Sequence, residues 1–131
     1  MRSFLIGAVG YPLLELAWRG RTHPSMMLAG GMSAALIHCI GQTNLPPLSK
    51  ALACGLGITA IEAGCGLVWN RRHQVWDYRH MPLNWRGQVC LPFSLAWCGL
   101  SAAYLLAEKA VSQASSPAAE QPAQPAPLHR P

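Results

Sequence analysis

Residues 75–97 read VWDYRHMPLNWRGQVCLPFSLAW. The first half crowds Trp76, Asp77, Tyr78, Arg79, His80, Pro82, Asn84, Trp85 and Arg86 together, and Gly87-Gln88 leads into a long apolar run. That density of aromatics and arginines suits a segment at a membrane surface. Trp and Tyr rings sit at the headgroup level, and arginines favour the cytoplasmic side. The stretch reads as the amphipathic, aromatic cytoplasmic cap of a small membrane protein, with Trp76, Asp77, Tyr78, Asn84, Trp85 and Gln88, together with Arg19 and Arg21 of the first connector, as the interface motif.

Composition agrees with a membrane setting. Of 131 residues, 51% are hydrophobic and only 11% charged, where a soluble domain carries about a quarter. The formal charge of +5 raises nucleic acid as a partner. The arginines fall between apolar runs, however, with no lysine-rich helix or zinc pattern beside them. Membrane orientation explains them more simply, and no nucleic acid is expected. The five cysteines, Cys39, Cys54, Cys65, Cys90 and Cys98, form no C-x-x-C pair. Their odd number argues against a disulfide framework, and a free cysteine in an apolar run behaves as a small hydrophobe. His38-Cys39 and the other thiols could build a soft-metal site across helices, but their spacing does not support one. No metal and no cofactor are expected.

Outward from the cap, four apolar runs appear. The first, Ser3–Trp18, stops at Trp18-Arg19-Gly20-Arg21. It lacks a small-x-small cleavage site, so a membrane helix is favoured over a signal peptide. The second, Ser25–Gly41, follows Pro24, a residue tolerated in a first helical turn. Its pairs Gly30/Ala34 and Gly31/Ala35 have the spacing that lets another helix approach closely. The double proline Pro46-Pro47 separates it from the third run, Lys50–Asn70. The fourth, Val89–Ala107, ends at Glu108-Lys109. The predicted fold is all-α: an integral membrane bundle of four transmembrane helices in residues 1–110. Residues 111–131, rich in Pro and Ala, are expected to be a disordered tail.

Basic residues orient the bundle. Arg19, Arg21, Arg71, Arg72, Arg79 and Arg86 lie in the first and third connectors, against Arg2, Lys50, Lys109 and Arg130 on the other side. The positive-inside rule puts those two connectors in the cytoplasm and both termini outside. Each half is a helix with one acid, then Trp, then arginines, a weak internal parallel that coincidence explains equally well.

Two acids carry the chemistry. A charged side chain at mid-membrane costs roughly 3 kcal/mol, so it is kept only if paired, hydrogen-bonded or protonated. Gly55, Thr59, Glu62 and Gly66 fall at i, i+4, i+7 and i+11, on one helical face that should point into the bundle. Glu62 then either carries a proton or cation or bonds structurally to another helix. Glu15 lies one turn before Arg19, where an ion pair would satisfy it locally. Glu15, Thr59 and Glu62 are the candidate substrate or proton pathway. Asp77 reads as a structural clasp to Arg71, Arg79 or Arg86.

The chain contains no G-x-x-x-x-G-K-[ST], G-x-S-x-G or H-E-x-x-H, and an enzyme is not expected. A lipid-modifying activity using Asp77 or Glu62 as its acid is the weaker option.

The run W-D-Y-x-x-x-P-L-N-x-x-G-Q-x-C-L-x-x-S-x-x-W, Trp76 to Trp97, resembles the bacterial type IV ABC-transporter membrane proteins. Gly10-Tyr11, Glu15, Trp18-Arg-Gly-Arg21, His23, Ser25-Met26, Gly30-Gly31, Thr59, Glu62, Gly66 and Asn70 are also similar to that family's pattern. The resemblance covers about residues 4–100, and Arg79 stands where a small residue such as serine is expected. It implies a multi-pass protein of the bacterial cell membrane. One expectation is a transport component for a small solute or ion, surrounded by lipid, as a homo-oligomer or with a separate ATPase subunit. The other is a non-transporting scaffold or regulator whose Arg/Trp-rich loop binds lipid headgroups or a partner.

Overall fold

The computed structural model describes residues 1–114; of the tail expected over residues 111–131, residues 111–114 belong to the last helix and the rest lies outside the described residues. Four helices follow one another: α1 Arg2–Arg19, α2 Pro24–Gly41, α3 Pro47–Trp69 and α4 Leu91–Ala114. The α3–α4 connector holds a two-stranded antiparallel ladder, β1 Asn84–Trp85 and β2 Val89–Cys90, in which Asn84 pairs with Cys90 and Trp85 with Val89.

The punctuation follows from local chemistry. Gly20 ends α1 in the left-handed conformation at φ 68°, its N–H bonded to Leu16 O, a role suited to a residue without Cβ. His23 caps α2, its Nδ1 accepting from Ser25 N at 3.2 Å, and Pro24 follows in the first turn. Pro46 caps α3 and Pro47 opens it, so the double proline starts this helix as well as ending the turn. At the other end Glu108 and Lys109 close the apolar run without closing α4, which continues to Ala114.

Helices α2, α3 and α4 are long and apolar enough to cross a membrane. The 23 residues of α3 span about 34 Å, enough for a bilayer core of about 30 Å. The first helix stands apart: its 18 residues include Arg2, Glu15 and Arg19. Many outward-facing side chains are apolar, among them Leu5, Val9 and Leu13 on α1, Leu52 and Leu56 on α3, and Leu95 and Leu106 on α4. Exposed apolar surface on this scale marks contact with a membrane or a partner.

Helix α1 packs on α2, α2 on α3, and α3 on α4. The α1–α2 contact is made by small residues: a Cβ on Gly7 would run into Gly30 O and the Ala34 methyl, and one on Gly30 into Tyr11. Between α3 and α4, a Cβ on Gly55 would meet Cys98 Sγ. The predicted small-residue stripes therefore act as close-approach surfaces. A hydrophobic cluster of Met26, Ala29, Cys65 and Trp76, flanked by Tyr11, Ile61, Val75 and Tyr78, sits under the connector.

Trp76 corrects the picture of a wholly superficial cap. It is 7% exposed, and its indole Nε1 donates to Gln88 O at 2.8 Å. The ring belongs to the core because the connector folds back over the helix ends. Trp85 and Trp18 do remain exposed, Trp18 at 88%.

Candidate functional site

The connector is held by amides. Asn70, the C-cap of α3, is 1% exposed. Its Nδ2 donates to Trp76 O at 2.6 Å and to Gln88 Oε1 at 3.1 Å, and its Oδ1 accepts from Val75 N at 2.9 Å. Gln88 Nε2 donates back to Asn70 O at 3.0 Å. Gly66 makes room for this pair, since a Cβ there would strike the Gln88 amide. Neutral amides can satisfy each other in a buried place without the desolvation cost of ions.

The P-L-N-x-x-G-Q pattern serves the same fold. Asn84 Nδ2 donates to Met81 O at 2.9 Å, and its Oδ1 accepts from Gly87 N at 3.0 Å. Arg86 and Gly87 both take positive φ, 53° and 65°, which turns the chain between the strands. Gly87 must lack a side chain because Arg79 and His73 lie against it.

Asp77 pairs with Arg79, the predicted alternative that lies nearest in sequence. Arg79 Nε and Nη2 donate to its carboxylate at 2.9 and 2.6 Å, and Arg79 N donates to Oδ1 at 3.0 Å. These bonds, side chain first, hold the Asp77 carboxyl well below the usual carboxylate range. The pair lies on the outer surface of the connector. The buried clasp is Asn70–Gln88, which sequence reasoning had not paired.

Below the cap, α1, α2, α3 and α4 surround a cavity of about 590 Å³. Glu15 and Glu62 both line it; Thr59 does not. The Thr59 hydroxyl instead lies 2.8 Å from Gly55 O and 2.9 Å from Ser94 Oγ, tying α3 to α4. Glu15 is ion-paired with Arg19 and accepts from Thr22 Oγ1 at 2.8 Å. Arg19 also donates to Val75 O at 3.0 Å, joining α1 to the cap. Arg21 lines a smaller recess of about 170 Å³ with His23, Trp69 and Gln74.

Glu62 is handled differently. It is 9% exposed. The Tyr78 hydroxyl donates to its Oε1 at 3.1 Å and Trp97 Nε1 to its Oε2 at 3.2 Å. Burial, reinforced by the Glu62 charge, pushes the Tyr78 phenol well above its ordinary value, so it stays a donor. Among the described residues no Lys, Arg or His pairs with Glu62. Glu15 and Glu62 line the same cavity. Tyr78 is stacked on Phe93 at 4.8 Å between centroids, and Tyr11 meets Trp97 at 5.8 Å. The aromatic partners Tyr11, Tyr78 and Trp97 were not foreseen as a group. They come from three separate parts of the chain; Tyr78 and Trp97 lie in the motif and Tyr11 in the family-like Gly10-Tyr11 pair, but nothing in the sequence brought the three together. Among the described residues there is no group of three or more His, Cys, Asp or Glu able to hold a metal.

A family model described as "Putative ABC-transporter type IV" matches residues 19–121. That is more than half of the chain and includes the whole cap and Glu62; Glu15 lies before it. No curated protein and no solved structure matches the chain.

Proposed function

The chain belongs to the type IV ABC-transporter family, and on that premise we propose that it is the membrane-embedded component of a transport system for a small solute or ion. The observation that carries this reading is Glu62: a buried carboxylate on a cavity wall, given two neutral donors and, among the described residues, no counter-cation. A structural acid in a membrane is normally neutralised by a partner, as Glu15 is by Arg19. An acid left without one marks a place where charge enters and leaves.

On this reading α1 is the fourth span. Its Glu15–Arg19 pair reduces the cost of burying charge, Arg2 and Arg19 lie at its ends, and its length of about 27 Å is met by slight local thinning. The arginine-rich connectors face the cytoplasm of a bacterial cell, and the termini face outward. The 131 residues hold no P-loop, so ATP hydrolysis falls to a separate subunit, and the chain itself catalyses no reaction. A homo-oligomer would shield α1 and α4 further, and bilayer lipid covers the remaining apolar faces.

The test is downhill flux of protons and small solutes into proteoliposomes carrying the full chain. The wild type should exceed protein-free vesicles, and Glu62→Gln should abolish the excess. Wild-type flux equal to that of empty vesicles would reject transport. It would favour the scaffold reading, whose support is the exposed Trp85 with the Arg86 guanidinium 5.2 Å from its ring centroid.

A further inference from the structure

We propose that the cavity binds a hydrophobic organic cation, with the Glu62 carboxylate as its counter-charge and the rings of Tyr11, Tyr78 and Trp97 as its walls. This names the substrate class of the passage proposed above and rests on that reading for its use in transport.

Size comes first. A cavity of about 590 Å³ falls within the range of about 300–1,000 Å³ typical of small-molecule sites, far more than a proton or bare metal ion needs. Apolar walls from Ile6, Leu14, Ile58 and Leu100 would leave an inorganic cation poorly solvated. They suit a ligand that brings its own apolar surface.

Charge comes second. With both acids ionised, Glu15 and Glu62 contribute two negative charges and Arg19 one positive, so the cavity carries a net −1. That charge sits on Glu62. Each of its carboxylate oxygens accepts one hydrogen bond, and a carboxylate offers about four lone-pair sites. The two left over have no hydrogen-bond partner among the described side chains of the cavity, whose other acid, Glu15, is taken up by Arg19 and Thr22. A monovalent cation cancels the deficit; an anion or a neutral lipid chain does not.

The rings come third. An aromatic face attracts a cation within about 6 Å, most strongly when both are desolvated. Tyr11 and Trp97 meet across the gap between α1 and α4, tilted at 49°. Tyr78 is stacked against Phe93 while its hydroxyl holds Glu62. A carboxylate surrounded by aromatic rings is the arrangement that recognises a delocalised or quaternary cation, which needs no directed hydrogen bonds.

The experiment measures saturable binding of tetraphenylphosphonium, above that of empty micelles, to the full chain purified in neutral detergent. Tetraphenylborate, of similar shape and opposite charge, is the control. The wild type should bind the phosphonium and bind the borate at least about tenfold more weakly. Glu62→Gln should weaken phosphonium binding by about tenfold or more while leaving the circular dichroism unchanged. Gly10 lines the cavity and an added Cβ there meets nothing within 4 Å, so Gly10→Leu should fill space and abolish binding without touching Glu62. Equal affinity for the two ions would overturn the proposal, as would full phosphonium binding by a folded Gly10→Leu if Glu62→Gln fails to fold. Saturable binding without flux would reject the transport reading and leave this one standing. Flux of another solute without phosphonium binding would do the reverse.

Discussion

The cap and the cavity both bury polar side chains, and they settle them in opposite ways. In the cap, Asn70 and Gln88 exchange hydrogen bonds with each other and with the Val75 and Trp76 backbone, so each amide arm is matched. In the cavity, Glu62 keeps two neutral donors and has no opposite charge beside it among the described residues. A closed network adds rigidity, because any movement leaves a buried group unpaired. An open one leaves room for a ligand. The two regions are joined by Tyr78, whose backbone N–H bonds to Gly87 O in the cap at 3.0 Å while its hydroxyl holds Glu62. The cap therefore positions the hydroxyl that holds Glu62 on the cavity wall.

The largest expected loss comes from cutting the closed network. Asn70→Ala removes the partners of Val75 N–H, Trp76 C=O and Gln88 Oε1, while Gln88 Nε2 keeps the backbone oxygen of residue 70. With about 1–3 kcal/mol for each buried group left unsatisfied, and partial relaxation, the cost should be about 2–4 kcal/mol. A thermal melt in detergent checks it, and a melt equal to that of the wild type would mean water replaces the amide freely.

Next is Gly55→Leu, which drives a side chain into Cys98 Sγ and should part α3 from α4. Overpacking of this kind costs about 1–3 kcal/mol. The expected readout is a lower melting midpoint together with loss of the Thr59–Ser94 contact, followed by crosslinking of cysteines placed at those two positions. Undiminished crosslinking would show that the helices accommodate the leucine.

The smallest effect belongs to Asp77. Its carboxyl is held below its ordinary value by Arg79, so its contribution is present above the unfolded carboxylate pKa of about 4 and is lost as pH falls through the folded value. The pair is exposed, and exposed pairs contribute little. Asp77→Ala should therefore melt like the wild type near pH 7 and lack a slight decline that the wild type shows below about pH 4. A marked loss at pH 7 would make Asp77 part of the buried clasp.

Much of this contrast was legible in the amino-acid order, for identifiable reasons. Long apolar runs between basic connectors disclosed the helices, and the 3.6-residue period put Gly55, Glu62 and Gly66 on a buried face. Glu15–Arg19 was readable because both members lie on one helix, a turn apart. The Asn70–Gln88 pair was not, since neutral amides separated by a folded loop leave no charge pattern and no period. Trp76 misled because the same aromatic suits a headgroup region and a small core, and only the fold of the connector decides between them. Helix α4 outran its apolar stretch because Glu108 and Lys109 are good helix formers; charge ended the hydrophobicity but not the helix. Thr59 shares a helical face with Glu62, yet that face is wide enough for the hydroxyl to meet Ser94 while the carboxylate meets the cavity.

The claim that the cap holds the fold while Glu62 is kept for a ligand is tested most directly by melting Glu62→Gln beside Asn70→Ala in the same detergent. Gln retains one acceptor and nearly the same shape, so its midpoint should stay close to the wild type while that of Asn70→Ala falls. A midpoint for Glu62→Gln as low as that of Asn70→Ala would contradict the account and make Glu62 a structural post of the bundle.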